Sequence, residues 1–108
     1  MARIADDANF DAIIGEDSKP VLVDFWAPWC KPCQALTPIL EEVEAAESGR
    51  FRLVKVNAEE CTKLAERFNV RSLPTLVLLV GGNPVSRKVG GVSRTTLEGW
   101  IKAGLASE

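Results

Sequence analysis

The chain predicts an α/β sandwich, a central mixed β-sheet of four to five strands flanked by four helices. Three observations carry that prediction. Residues 21–27 and Thr75–Val80 are near-continuous β-branched and aromatic or aliphatic runs, as expected of strands buried on both faces. The stretches between the strand-like runs carry apolar residues at helical spacing. Gly81-Gly82-Asn83-Pro84 then turns the chain into a short returning run, the mark of a hairpin.

Residues 6–14 place Phe10, Ile13 and Ile14 at helical spacing, with Asp6 or Asp7 available as N-cap. A polar loop over 15–19 follows, and Pro20 leads into the strand over 21–27. From Pro32 the period changes. Leu36, Ile39, Leu40 and Val43 fall at i, i+3, i+4, i+7, with Glu41, Glu42, Glu44 and Glu47 on the other side. This amphipathic helix ends near Ser48-Gly49, with Gly as its stop, and Pro38 should kink it. Residues 51–56 read as a strand, and 59–68 as a short helix with Cys61, Leu64, Ala65 and Phe68 on one stripe. After Thr75–Val80, residues 85–89 return as the hairpin partner and Gly90-Gly91 break the strand. Ser93 or Thr95 caps a last helix, with Thr95 and Glu98 at capping-box spacing and Leu97, Trp100, Ile101 and Leu105 as its buried stripe. Strands joined through helices imply parallel pairs with right-handed crossovers, and the hairpin adds an antiparallel edge.

With 108 residues, 46% of them hydrophobic, the chain is expected to form a single domain over residues 1–108 that holds one core without metal or disulfide staples. Thirteen Lys and Arg against fifteen Asp and Glu leave a net charge of −2, which argues against nucleic acid as a partner and gives no basic anchor for a membrane surface. No stretch approaches the ~18–20 apolar residues of a membrane span. Acidic Asp6 and Asp7 arrive where a signal peptide would carry its apolar region, so the expected location is the reducing cytoplasm and the expected state a monomer.

Histidine is absent, which removes Ser-His-Asp and Cys-His nucleophile machinery. Three cysteines without histidine also fall short of a closed zinc site or an iron–sulfur cluster, so no metal is expected.

The chemistry therefore centres on Cys30-Lys31-Pro32-Cys33, where a buried strand gives way to a helix. Residues at i and i+3 of a helix have Cβ atoms roughly 5–6 Å apart, and a disulfide wants about 3.5–4.5 Å. A slightly distorted first turn closes that gap, so the pair can open and shut with little movement elsewhere. Cys30 stands at the helix N-terminus, where free N–H groups and the macrodipole favour a thiolate and hence a nucleophile. Cys33 lies one turn inward and better buried. Lys31 adds a positive charge beside Cys30, and Pro32 fits a first turn that needs no N–H. The plainer alternatives are half of a metal knuckle or two core cysteines; the missing second half of a knuckle and the strand-to-helix placement favour redox.

Asp24 shares a strand face with Leu22 and Trp26, so it should be inside, with a raised pKa and a capacity to exchange protons near neutral pH. The expected role is to take the proton of Cys33; the plain alternative is a structural Asp that bonds a loop or faces water. Lys55, the one cation in its strand, can approach Asp24 across the sheet or simply snorkel to the surface. Pro74 opens the third strand, and its peptide bond is left open between cis and trans on the residues alone. Cys61 belongs to an apolar stripe and reads as an inert buried thiol rather than a regulatory one.

The run Val23-Asp24-Phe25-Trp26-Ala27-Pro28-Trp29-Cys30-Lys31-Pro32-Cys33 resembles the thioredoxin family. So do Pro38-Ile39-Leu40, Leu53-Val54-Lys55-Val56-Asn57, Val70-Arg71-Ser72-Leu73-Pro74-Thr75-Leu76 and Lys88-Val89-Gly90, in the family's order and spacing from about Pro20 to Leu105. The resemblance implies the thioredoxin fold, with a brief first strand around Arg3 to Ala5. It implies a cis Leu73–Pro74 bond packed against the dithiol, and a substrate groove framed by Trp29, Leu73, Pro74 and Gly90. There the backbone at Leu73 would pair with an extended substrate segment. It makes Asp24 the family's buried acid and Lys55 its neighbour. It implies a protein-disulfide reductase whose only redox group is the Cys30–Cys33 disulfide, with disulfide-containing proteins as substrates and an NADPH-dependent thioredoxin reductase as electron donor. Lys31 stands where the family usually has Gly. Stabilising the Cys30 thiolate stabilises the reduced form, which makes a weaker reductant. Two other readings share the fold: a dithiol oxidant or isomerase, towards which Lys31 leans, and a binding module with incidental redox activity.

Overall fold

A computed structural model of the chain describes residues 2–47 and 49–106. Its elements run β1 (Arg3–Ala5), α1 (Phe10–Ile14), β2 (Val21–Trp26), α2 (Lys31–Ala46), β3 (Arg52–Asn57), α3 (Thr62–Arg67), β4 (Thr75–Val80), β5 (Asn83–Val89) and α4 (Arg94–Leu105). The five strands form one mixed sheet in the order β1-β3-β2-β4-β5. This is the expected α/β sandwich.

Alternation along the central strand builds both layers. Val21, Val23 and Phe25 pack with Phe10, Ile13, Leu64 and Phe68, which places α1 and α3 on one face of the sheet. Leu22 packs with Leu36, Leu40, Leu97 and Ile101, which places α2 and α4 on the other. Asp24 lies on this second face by the same period of two, so both of its strand neighbours on that face are large and it has no route to water.

Two expectations about the sheet are corrected. β3 is parallel to β1 and β2, as the crossover argument requires, but β4 is antiparallel to β2, with Asp24 opposite Leu76 and Phe25 opposite Thr75. The reason is length. Six helical residues in α3 advance about 9 Å, and six residues of strand about 20 Å. The helix cannot carry the chain back to the start of β3, so β4 begins at the end where β3 stopped. That brings Leu73 and Pro74 to the end of the sheet where β2 feeds α2. The hairpin is also tighter than expected. Gly81 and Gly82, both at positive φ, make the turn, and Asn83 and Pro84 already belong to β5, an edge strand with a register shift at Leu78/Leu79 that accommodates the proline.

The helix ends differ from expectation where partners come from far away. α1 is shorter than residues 6–14, because Asp6 Oδ1 accepts the N–H groups of Ala8 and Asn9 in a preceding turn. Asp7 does not cap α1; it accepts from Leu64 N at 3.0 Å and so caps α3 from across the fold. α3 starts at Thr62 rather than residue 59, since Asn57 Oδ1 holds Glu59 N and Glu60 N in a turn. α2 ends at Ala46 with Glu47 as C-cap and Gly49 at φ 79°; Ser48 lies outside the described residues. Ser93, not Thr95, caps α4, its Oγ accepting from Thr96 N at 3.2 Å. Ser93→Ala is therefore expected to cost about 1 kcal/mol. Chemical denaturation measures it, and an unchanged midpoint would deny the cap any weight.

Candidate active site at the β2–α2 junction

The sequence delivers Cys30 at the point where β2 has ended and α2 has not begun. Cys30 is the N-cap of α2 in an extended conformation (φ −86°, ψ 103°), so it is not part of a distorted helical turn. That swing of the backbone closes the pair. Cys30 and Cys33 form a disulfide with Cα atoms 5.3 Å apart and S–S 2.21 Å. Pro32 sits in the first turn, where its missing N–H leaves nothing unpaired.

The two sulfurs differ by their surroundings. The Cys33 N–H donates to Cys30 Sγ at 3.2 Å, so the first cysteine's own sulfur serves as the cap acceptor of the helix. A thiolate at that position would receive a charge-assisted hydrogen bond and the positive end of the α2 macrodipole, both of which favour the charged sulfur. Cys33 is 1% exposed and Cys30 4%. In the oxidised protein both are thus buried, and the expected contrast in burial is small. Around them Ala27, Trp26 and Leu73 close an apolar cluster. Lys31 is exposed at the first position of α2 and makes no ion pair among the described residues.

Asp24 is fully buried, and neither carboxylate oxygen finds a hydrogen-bond partner. Burial pushes its pKa from 3.8 up to about 6, while the nearby Lys55 charge pulls it down in part. Lys55 is Asp24's register partner on β3. The residue is half-buried. Its ammonium donates to Thr37 Oγ1 at 3.1 Å and lies 4.8 Å from the centroid of the Trp26 ring.

The Leu73–Pro74 bond is cis. Pro74 O accepts the Gly90 N–H at 2.9 Å, tying the end of β5 to the start of β4. Gly90 sits at φ 89°, where an L side chain is strained although space is open around it. Gly90→Ala is expected to cost about 1–2 kcal/mol through that strain alone. Thermal unfolding checks it, and an unchanged midpoint would show that the position carries no strain. Trp29, 67% exposed, and Leu73 line one cleft of about 280 Å³ together with Ala58, Val70 and Arg71. Pro74 and Gly90 do not line that cleft; they are joined to each other by their backbone hydrogen bond.

Two contacts at the site had no signal in the residue pattern. Trp29 Nε1 donates to Glu59, which fixes the exposed indole, and Thr37 bridges Lys55 to α2. Cys61 lies away from the dithiol, 4% exposed, its Sγ 3.9 Å from Ala5 O. Burial and the charge of Asp7 push its thiol pKa up, which keeps it a poor nucleophile at neutral pH. Among the described residues no group of His, Cys, Asp or Glu could hold a metal ion, and no helix is long and apolar enough to cross a membrane.

Comparison with known proteins agrees with this geometry. The family profile described as Thioredoxin matches residues 2–103. The chain is 42% identical over 91 residues to Thioredoxin 1 of Nostoc sp., covering 84% of this chain and 85% of that protein. It is 42% identical over 97 residues to Thioredoxin 1 of Synechococcus elongatus, covering 90% and 91%. It is 44% identical over 92 residues to a thioredoxin of Alicyclobacillus acidocaldarius, covering 85% and 87%.

Proposed function

As this chain belongs to the thioredoxin family and is a protein-disulfide reductase working by dithiol–disulfide exchange, we propose that Cys30 attacks, Cys33 resolves and Asp24 moves the proton. The observation that carries the assignment is the hydrogen bond from Cys33 N to Cys30 Sγ at the start of α2. It makes Cys30 the sulfur best able to hold negative charge.

In the reduced protein the Cys30 thiolate attacks one sulfur of a substrate disulfide. A mixed disulfide forms and one substrate thiolate leaves. Cys33 then gives its proton to ionised Asp24 and attacks Cys30 Sγ. The Cys30–Cys33 disulfide forms, the second substrate thiolate departs, and two electrons have passed to the substrate. Trp29, Leu73, Pro74 and Gly90 frame the groove, and the Leu73 backbone pairs with the substrate segment. Lys31, Pro32 and Lys55 tune the site. The dithiol is the only redox group, no cofactor or metal being required. A thioredoxin reductase drawing on NADPH returns the electrons. The setting is the cytoplasm and the working unit a monomer, with residues 1–108 as one domain and neither nucleic acid nor a membrane as partner.

The test is reduction of a protein disulfide by the pre-reduced chain, beside the variant carrying Cys30→Ser and Cys33→Ser together. The parent reduces the substrate and the double variant does not. Equal activity in the two would remove the dithiol from the function and leave a binding module.

Lys31 favours one second reading. A charge beside Cys30 stabilises the thiolate and shifts the couple towards an oxidant or isomerase. Lys31→Gly is accordingly expected to lower the reduction potential of the couple, as measured by equilibration with glutathione. No change would mean that Lys31 acts on partner docking alone.

A further inference from the structure

We propose that Thr37 is a positioning residue of the exchange site: its hydroxyl anchors the Lys55 ammonium in the seam between α2 and the sheet, beside Asp24. The inference rests on the reading of Asp24 as the group that moves the Cys33 proton.

The hydroxyl of Thr37 has both of its roles assigned. It donates to the carbonyl of Cys33, one turn back on α2, at 3.1 Å. Its proton is thereby committed, and a lone pair is left facing outward, where Lys55 Nζ donates to it at 3.1 Å. One side chain thus links the backbone of the resolving cysteine to the cation of β3. Lys55 forms no ion pair among the described residues, and its other contact is the face of Trp26. A lysine head held by one hydroxyl and one ring is weakly held, since its long stem lets it snorkel to water when the polar partner is lost.

The position of that ammonium matters because of what surrounds Asp24. On β3 its register partner is Lys55 and on β4 it is Leu76. The helices over this face bring Leu36 and Leu40 from α2 and Leu97 and Ile101 from α4; the titratable side chains that α2 turns towards the sheet are Cys33 and Glu44, the latter accepting from Leu53 N. Lys55 is the charge that acts on Asp24, and it works against the burial that makes the carboxylate hard to ionise. If Thr37 lets go, the ammonium moves out, the opposing charge weakens, and Asp24 holds its proton to higher pH.

The test is an NMR titration of the Asp24 carboxyl carbon in the oxidised protein, with the pH profile of disulfide turnover measured alongside. Thr37→Val keeps the shape and removes the hydroxyl. It is expected to raise the Asp24 midpoint by about half a pH unit or more, the scale of one partly screened charge moved several ångström. Thr37→Ser restores the hydroxyl and is expected to restore the midpoint. In a Lys55→Met background, Thr37→Val should add nothing further, because the anchor then has nothing to hold. An unchanged or lowered midpoint in Thr37→Val overturns the anchor, as does an equal shift in Thr37→Ser or an undiminished shift in the Lys55→Met background. A raised midpoint whose turnover profile does not follow upholds the anchor and removes Asp24 from proton transfer.

Discussion

Cys33→Ser is expected to stop the reaction halfway: the variant attacks substrate disulfides and accumulates as a stable mixed disulfide through Cys30. The serine hydroxyl cannot displace the substrate sulfur, so multiple turnover falls to the uncatalysed background while the first half-reaction persists. Cys30→Ser is expected to form no adduct at all. The asymmetry follows from the N-cap. Cys30 Sγ accepts the Cys33 N–H, and that donor belongs to the backbone, so it remains when the second side chain is changed. Mass spectrometry of the variants after incubation with a disulfide-containing protein reads the result directly. Product release by Cys33→Ser at the parental rate would deny Cys33 the resolving role, and an adduct on Cys33 in Cys30→Ser would reverse the assignment.

Asp24→Asn has the second large effect, in stability and rate together. A carboxyl whose pKa is raised in the folded protein binds its proton more tightly there than in the unfolded chain. Its contribution therefore falls as pH rises between 3.8 and about 6 and stays low above that window. The shift corresponds to about 3 kcal/mol above pH 6. An asparagine carries no charge to bury, so the variant is expected to be more stable than the parent at neutral pH by up to that amount, less what the amide loses by lacking partners in its turn. Below pH 4 the two should converge. The same substitution removes the proton acceptor for Cys33 and is expected to slow the second half-reaction at neutral pH by about one order of magnitude or more. It should also flatten the rise in rate through pH 6. Denaturation midpoints across pH 3.5 to 8 and single-turnover kinetics check the two limbs. A variant less stable than the parent at neutral pH would mean that the buried carboxylate has partners that hold it ionised. A parental rate profile would remove it from the mechanism.

A buried carboxylate with no hydrogen bonds costs the fold free energy and repays nothing structural. Its presence between Leu22 and Trp26, on a strand buried along nearly its whole length, is a local conflict of the kind that marks a functional position.

Much of this was legible in the residues, and the rest had identifiable reasons to be hidden. The two-faced burial of β2 follows from its unbroken apolar run, and Asp24 stood out because that run leaves it nowhere to go. The Cys30–Cys33 pair was readable from spacing and from its place between a strand and a helix. The brief β1 was not readable from pattern. Arg3, Ile4 and Ala5 are too few to show a period, and they are strand only because β3 pairs with them. The direction of β4 is hidden because the crossover rule holds for a connection that spans the sheet, and a helix of six residues cannot. The caps that were missed share one property. Asp7 reaches α3 and Arg52 donates to the carbonyls of Ile13 and Ile14, so both partners are distant in sequence and no local window contains them. Thr37 and Glu59 escaped for the same reason. Each looks like an ordinary polar residue, one on a helix and one in a turn, until the fold sets it against Lys55 or Trp29.

Whether the Cys30–Cys33 couple makes this protein a disulfide reductant is read from the equilibrium reduction potential of that couple in a glutathione buffer. The expected value lies well below that of the glutathione couple, with Lys31 raising it only in part. A value at or above the glutathione couple would contradict it and make the protein an oxidant or isomerase on the same fold.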